Sequence, residues 1–346
     1  MKVLCKKNFK FIISILLISV LAFTGCMTSS NNKNNSTNKE KSKELTIYSG
    51  RREKFTLPLV EKFQAETGIK VNLITGKATE YAHRIVEEDK NTKADVFLAN
   101  DAGVLEYLRL QDMLALIDSE EIEKVPMNYR GKGNTWTGIT VRSRIFMYNK
   151  DLITQEEMAK SMYDLTDSKY KGQFAINRAG NESMVTYFTS IKTIIGEEKT
   201  LQLMKDIMAN DPLILKSHTE VRRAVGSGEV KFGLVNNYHL KVQLTEDGMN
   251  NVAAIYPDQD ENGMGTFVNV SGAAITKYAN NPVNALSFIE FLLQEEQQKM
   301  NAETPIIPNI EGIKYEEFKA SKASLGEVGP EWESTTELMR EAGYSD

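Results

Sequence analysis

The stretch from Leu45 to Ile74, LTIYSGRREKFTLPLVEKFQAETGIKVNLI, decides the architecture. Leu45-Thr46-Ile47-Tyr48 is a short apolar run of strand character, and Val71-Asn72-Leu73-Ile74 is a second. Between them Phe55, Leu59 and Phe63 share one helical face, with Pro58 expected in the first turn and Gly68 as a C-cap. Strand, helix, strand is a βαβ unit, which implies parallel pairing. The alternation continues through Asp95-Val96-Phe97-Leu98, Ile145-Phe146-Met147-Tyr148, Phe174-Ala175-Ile176, Phe232-Gly233-Leu234-Val235, Val252-Ala253-Ala254-Ile255 and Ala273-Ala274-Ile275. Asn281-Pro282 reads as N-cap and first residue of a helix over Val283 to Leu292. The expected class is α/β, with mostly parallel sheets flanked by helices.

Upstream, Lys2, Lys6, Lys7 and Lys10 precede an apolar run from Phe11 to Phe23 interrupted only by Ser14 and Ser19, the pattern of a signal peptide. At about 13 residues the run is shorter than the roughly 20 a spanning helix needs. It closes on Phe23-Thr24-Gly25-Cys26, which resembles a lipobox: residues 1–25 are expected to be removed and Cys26 lipidated. Residues 26–43 are almost wholly polar and are expected to form a tether. Cys5 and Cys26 are the chain's two cysteines, so the body has neither a disulfide nor a thiolate metal site. That body, from Glu44 onward, is long enough for two lobes. A formal net charge of -5 argues against nucleic acid as partner.

Ligands of open α/β sheets bind beyond the carboxyl ends of strands. Four segments sit there: Ser49-Gly50-Arg51-Arg52, Ala99-Asn100-Asp101, Asn177 to Glu182, and Asn236-Asn237-Tyr238-His239. No His-Glu-x-x-His, phosphate loop, Gly-x-Gly-x-x-Gly or Gly-x-Ser-x-Gly motif is present, which argues against an enzyme. His83 is expected on a helix surface. Tyr238 and His239 are adjacent metal-capable side chains at a turn leaving a strand, the one place where neighbours on a strand can meet one ion. The plainer alternative is a half-buried aromatic beside a solvent-facing imidazole. Arg142 and Arg144, just before the Ile145 strand, share a face and suit an anion, or else form an exposed basic edge.

From Glu44 to Gly343 the chain resembles the bacterial ferric-ion-binding proteins, soluble receptors of iron ABC transporters. The resemblance rests on Leu45 to Arg51, Phe63 to Val71, Lys93 to Phe97, Trp136 to Arg144, Tyr170-Lys171-Gly172, Ala224 to Val230, Asn236-Asn237-Tyr238 and Val270 to Ala273, in the family's order. It implies a two-lobed periplasmic-binding-protein-like type II fold joined by a hinge. The lobes would be 44–141 with about 268–315, and 142–267 with about 316–346. The resemblance also implies iron as the transported ligand, with or without a synergistic anion such as carbonate. Its partners would be an ABC permease and its ATPase, and the receptor would be a membrane-anchored monomer.

Carried over by position, Tyr238 matches the first of a consecutive tyrosine pair that binds iron, and His239 stands where the second would be. Glu182 is the replacement ligand in a loop where some relatives have a third tyrosine. Arg52 and Asn100 stand where some relatives have a histidine and a glutamate. Arg142 matches an arginine near the bound anion, while Asn236 and His218 fall where some relatives hold phosphate. An imidazole in place of a phenolate lowers ligand charge and shifts preference from Fe(III) toward Fe(II). A second reading keeps the fold and binds a small organic anion, such as a phosphonate, through Arg52, Arg142, Arg144 and the Asn236 turn.

Overall fold

The computed structural model describes residues 42–246, 251–300, 304–308, 310–311 and 317–344. The leader, Cys26 and nearly all of the tether lie outside the described residues.

The opening unit forms as the sequence predicts. Strand β1 (Glu44–Ser49), helix α1 (Glu53–Thr67) and strand β2 (Lys70–Thr75) make a parallel βαβ, with Glu44 opposite Lys70 and Ser49 opposite Thr75. Gly68 ends α1 at φ 69 and donates to the Gln64 carbonyl, a left-handed cap that glycine adopts without a Cβ penalty. The helix begins earlier than expected, so Pro58 lies in its second turn. There the ring nitrogen cannot donate to the Lys54 carbonyl, and burial of Thr56, Leu59, Val60 and Phe63 offsets the loss.

Helix α2 (Ala78–Glu88), β3 (Val96–Ala99) and α3 (Ala102–Leu110) extend this half, with β3 parallel to β1. The chain then crosses the molecule on β4 (Thr137–Asn149). A second set follows: β5 (Phe174–Asn177), α4 (Glu182–Ile195), α5 (Glu197–Ala209), β6 (Leu213–Leu215), α6 (His218–Ser227), β7 (Phe232–Asn236), α7 (Tyr238–Glu246) and β8 (Val252–Ile255). Within it β5 runs parallel to both β6 and β7. The return crossing is β9 (Val268–Ile275), and α8 (Pro282–Leu293), α9 (Glu295–Met300), β10 (Thr304–Pro305), α10 (Leu325–Val328) and α11 (Trp332–Glu341) complete the chain.

The strand order is β2-β1-β3-β9-β4-β7-β5-β6. The sheet is therefore mixed rather than mostly parallel. Its flanks are parallel, but β4 and β9 carry the chain out and back side by side and so must run antiparallel; Thr137 to Ser143 of β4 pair with β9, and Arg144 to Asn149 pair with β7 or β8. Arg142 and Arg144 thus lie inside a strand, buried at 5% and 1% exposure, and the exposed-edge alternative is excluded.

Phe63 packs edge-on against Phe288 and Phe291 in one half; in the other, Phe146 and Tyr170 pack edge-on against Phe232, on which Phe174 stacks. Asn281 does precede α8, but its side chain turns to Asp95 at 3.1 Å instead of capping its own helix. Asp95 also accepts from the Thr46 and Asn281 amides, so one carboxylate ties β1 to the start of α8. The C-terminal segment packs α10 on both α3 and α4, and α11 on α4.

Candidate functional site

A cavity of about 240 Å³ opens where the two parallel sets meet the crossing strands; its lining includes Arg52, Asn100, Asp101, Arg142, Glu182, His218, Asn236 and Tyr238. All four segments beyond strand ends contribute to it: those after β1, β3, β5 and β7. Helices α1, α3, α4, α6 and α7 begin within a residue of a lining position, so partial positive charge collects there. Arg52 and Arg142 add whole charges. A cation can reside here only with strong anionic donors around it.

Tyr238 opens α7 and presents its ring to the cavity. His239, one residue on, is not among the lining residues. Its ring is 2% exposed, with its centroid 4.3 Å from that of Tyr238 and 5.5 Å from that of His218. Neither His239 nitrogen has a hydrogen-bond partner among the described residues. Burial holds the His239 and His218 imidazoles well below the usual range, aided by Arg52 and Arg222 for the first and by Arg144 for the second. Both rings are neutral at physiological pH, the form that ligates metals.

Glu182 is the first residue of α4, whose N-cap Asn181 accepts from the Met184 amide at 3.1 Å. Burial, and next the charge of Asp101, push the Glu182 carboxyl up to about 7. The Thr79 hydroxyl of α2 approaches it at 3.5 Å. Arg144 does not line the cavity but lies behind it. Its Nη2 donates to the Ser183 carbonyl at 2.5 Å and hydroxyl at 2.7 Å, its Nη1 lies 2.9 Å from His218 Nε2, and it sits over the Tyr187 ring. Burial lowers it to about 10. His83 is on the surface, stacked on Tyr107, as expected.

Asp101 has a role that its place in the segment after β3 does not by itself reveal. It is wholly buried, lines the cavity and caps α3 through the Gly103 amide at 2.8 Å. An aspartate between a strand end and Ala102-Gly103 is a readable N-cap signal. Nothing in the sequence marks its distant partners, Thr186 and Asn269.

Among the described residues no three His, Cys, Asp or Glu side chains converge on a point that would hold a metal ion. Any metal here would depend on Tyr238 as a donor.

These features, a sheet crossed twice with a polar cavity beside the crossing, define a solute receptor. The chain belongs to the bacterial extracellular solute-binding protein family, whose profile it matches over residues 58–325. Among its relatives is iron uptake protein A1 of Synechocystis, 36% identical over 87% of each chain. Among solved structures, a Trichodesmium protein (IdiA, FutA) in complex with iron and citrate ligands superposes with TM-score 0.77 at 29% identity, covering 87% of this chain and 100% of that one. A ferric binding protein from Campylobacter jejuni gives TM-score 0.80 at 28% identity, over 87% and 100%. The fold is the type II periplasmic-binding-protein-like fold of these proteins.

Proposed function

We propose that this chain is the extracytoplasmic receptor of an ABC importer and that it captures an iron ion, Fe(III) or Fe(II), in the cavity. The observation that carries this is that Tyr238 and Glu182 line one cavity together with Asp101 and His218, among arginines, amides and helix starts. A bound cation stabilises phenolate over phenol and carboxylate over acid, so loading releases protons from both groups. His239 completes the set by turning its ring past Tyr238, a movement that breaks no hydrogen bond of its own among the described residues. Arg142, Arg52 and Asn236 hold a companion anion such as carbonate, which supplies the negative charge that one phenolate and one carboxylate do not. The relatives' names, which specify iron, support this over the organic-anion reading.

The two lobes, 44–141 with about 268–315 and 142–267 with about 316–346, close on the cargo about the crossing strands. No chemistry follows binding. The receptor works as a monomer, delivering cargo to a permease and its ATPase. Residues 1–25 are a leader and Cys26 carries the lipid; incorporation of labelled palmitate by the native chain but not by Cys26→Ser tests the anchor. Isothermal titration with Fe(III) citrate, anaerobic Fe(II) and a phosphonate tests the cargo. Iron binding that falls at least tenfold in Tyr238→Phe is expected; binding of the phosphonate alone would refute the assignment.

A further inference from the structure

We infer that Asp101 is a positioning residue that latches α4 against the α3 side of the cavity and thereby holds Glu182 and Ser183 in place. One carboxylate joins three separate parts of the fold. Its Oδ1 accepts from the Gly103 amide at 2.8 Å, at the start of α3, and from the Thr186 hydroxyl at 2.7 Å, on α4. Its Oδ2 accepts from Asn269 Nδ2 at 2.6 Å, on the returning strand β9. Asn269 is fixed in turn, because its Oδ1 accepts from the Ala102 amide at 3.2 Å and the Val270 amide at 2.8 Å.

The register explains why these groups meet. Asn269 stands opposite Arg142 in the β4–β9 ladder, and facing residues of an antiparallel pair project to the same side. Asp101, Asn269 and Arg142 therefore share one side of the crossing strands; burial raises the Asp101 carboxyl, and the Thr186 hydrogen bond and the Arg142 charge work against that rise. Thr186 comes to them from the other parallel set. It lies four residues after Glu182 on α4, so the two share a helix face: one reaches the cavity and the other the latch. Asp101, Asn269, Thr186 and the Thr186 contact are all buried. A bond between a hydroxyl and a buried carboxylate, bridging the two sets, strongly favours the arrangement in which both walls of the cavity are assembled.

The latch rests on the proposed cargo only for its kinetic readout, and Thr186 is the residue to change because it does not line the cavity. Thr186→Val removes the hydroxyl at nearly constant shape, and Thr186→Ser keeps it. Stopped-flow measurement with Fe(III) citrate is expected to show iron release from the Val variant faster by about tenfold, the usual worth of a hydrogen bond to a charged acceptor. Association should stay close to that of the native chain. The thermal midpoint of the Val variant should fall by a few degrees because a buried acceptor loses its donor, and the Ser variant should restore both slow release and midpoint. Hydrogen exchange on the cargo-free protein is expected to show faster exchange of the Met184 to Tyr187 amides in the Val variant alone. Unchanged release and exchange in Thr186→Val would overturn the latch, and so would a loss that Thr186→Ser fails to restore. If the native chain takes up no iron, the cargo assignment falls and the exchange measurement alone decides the latch.

Discussion

Asp258 shows how a single side chain can set a pH dependence. Its backbone is left-handed at φ 59, a conformation that Asp and Asn tolerate. Burial first, and then the Asp164 and Asp260 charges, raise its carboxyl to about 6. The folded state thus binds this proton more tightly than the unfolded chain does. The stability it contributes is fully present below about pH 4 and is lost as pH rises through 6. Asp258→Asn keeps the turn and removes the titration. The variant is expected to be more stable than the native chain by about 1–3 kcal/mol at pH 8 and nearly equal to it at pH 4. Urea unfolding at the two pH values measures this, and a constant difference would sink it. At the same scale, Tyr238 and Glu182 were legible as cavity residues because each follows a strand end, where an α/β sheet puts its ligands, whereas Arg142 reaches the cavity from within β4. The burial of His239 behind Tyr238 was not legible, because it depends on packing against His218 from another helix.

Among the elements, β7 and α6 depend on one missing side chain. A Cβ on Gly233 would lie 2.5 Å from Val221 Cγ1 and 3.2 Å from the Ala175 carbonyl oxygen. Gly233→Ala must therefore push α6 away from β7, at about 1–3 kcal/mol of overpacking strain in urea unfolding. The same shift moves His218, which begins α6, relative to Asn236, which ends β7, so a loss of cargo affinity should accompany the loss of stability. Lost stability with unchanged affinity would show that the site does not depend on this packing. Most strands could be read from their apolar runs. By contrast, β4 is longer than its apolar run Ile145 to Tyr148, because the polar residues before it, Arg142 and Arg144 included, carry no apolar signal. The two arginines belong to the strand because both pair in its ladders, Arg142 with Asn269 of β9 and Arg144 with Asn236 of β7. The three-residue β6, Leu213–Leu215, carried too little periodicity to be seen.

For the whole molecule, the double crossing makes the cavity a place where cargo can report on global stability. Residues from Ser42 to Asp346 form one compact unit, and the cavity draws lining residues from both parallel sets and from β4. Unfolding either set removes part of the site, so an ion bound there stabilises the native state by mass action. Free iron at 100 times its dissociation constant should add about 2.7 kcal/mol, less whatever iron the unfolded chain binds. That corresponds to a rise of several degrees in the thermal midpoint. Tyr238→Phe should show a much smaller rise at the same free iron, because the variant lacks the phenol proposed as the cation's donor. The comparison separates the cavity from adventitious iron on the acidic surface, which would stabilise both proteins alike. Equal shifts in the two would therefore place the iron elsewhere on the molecule, whereas a shift confined to the native chain ties cargo, cavity and fold to one equilibrium.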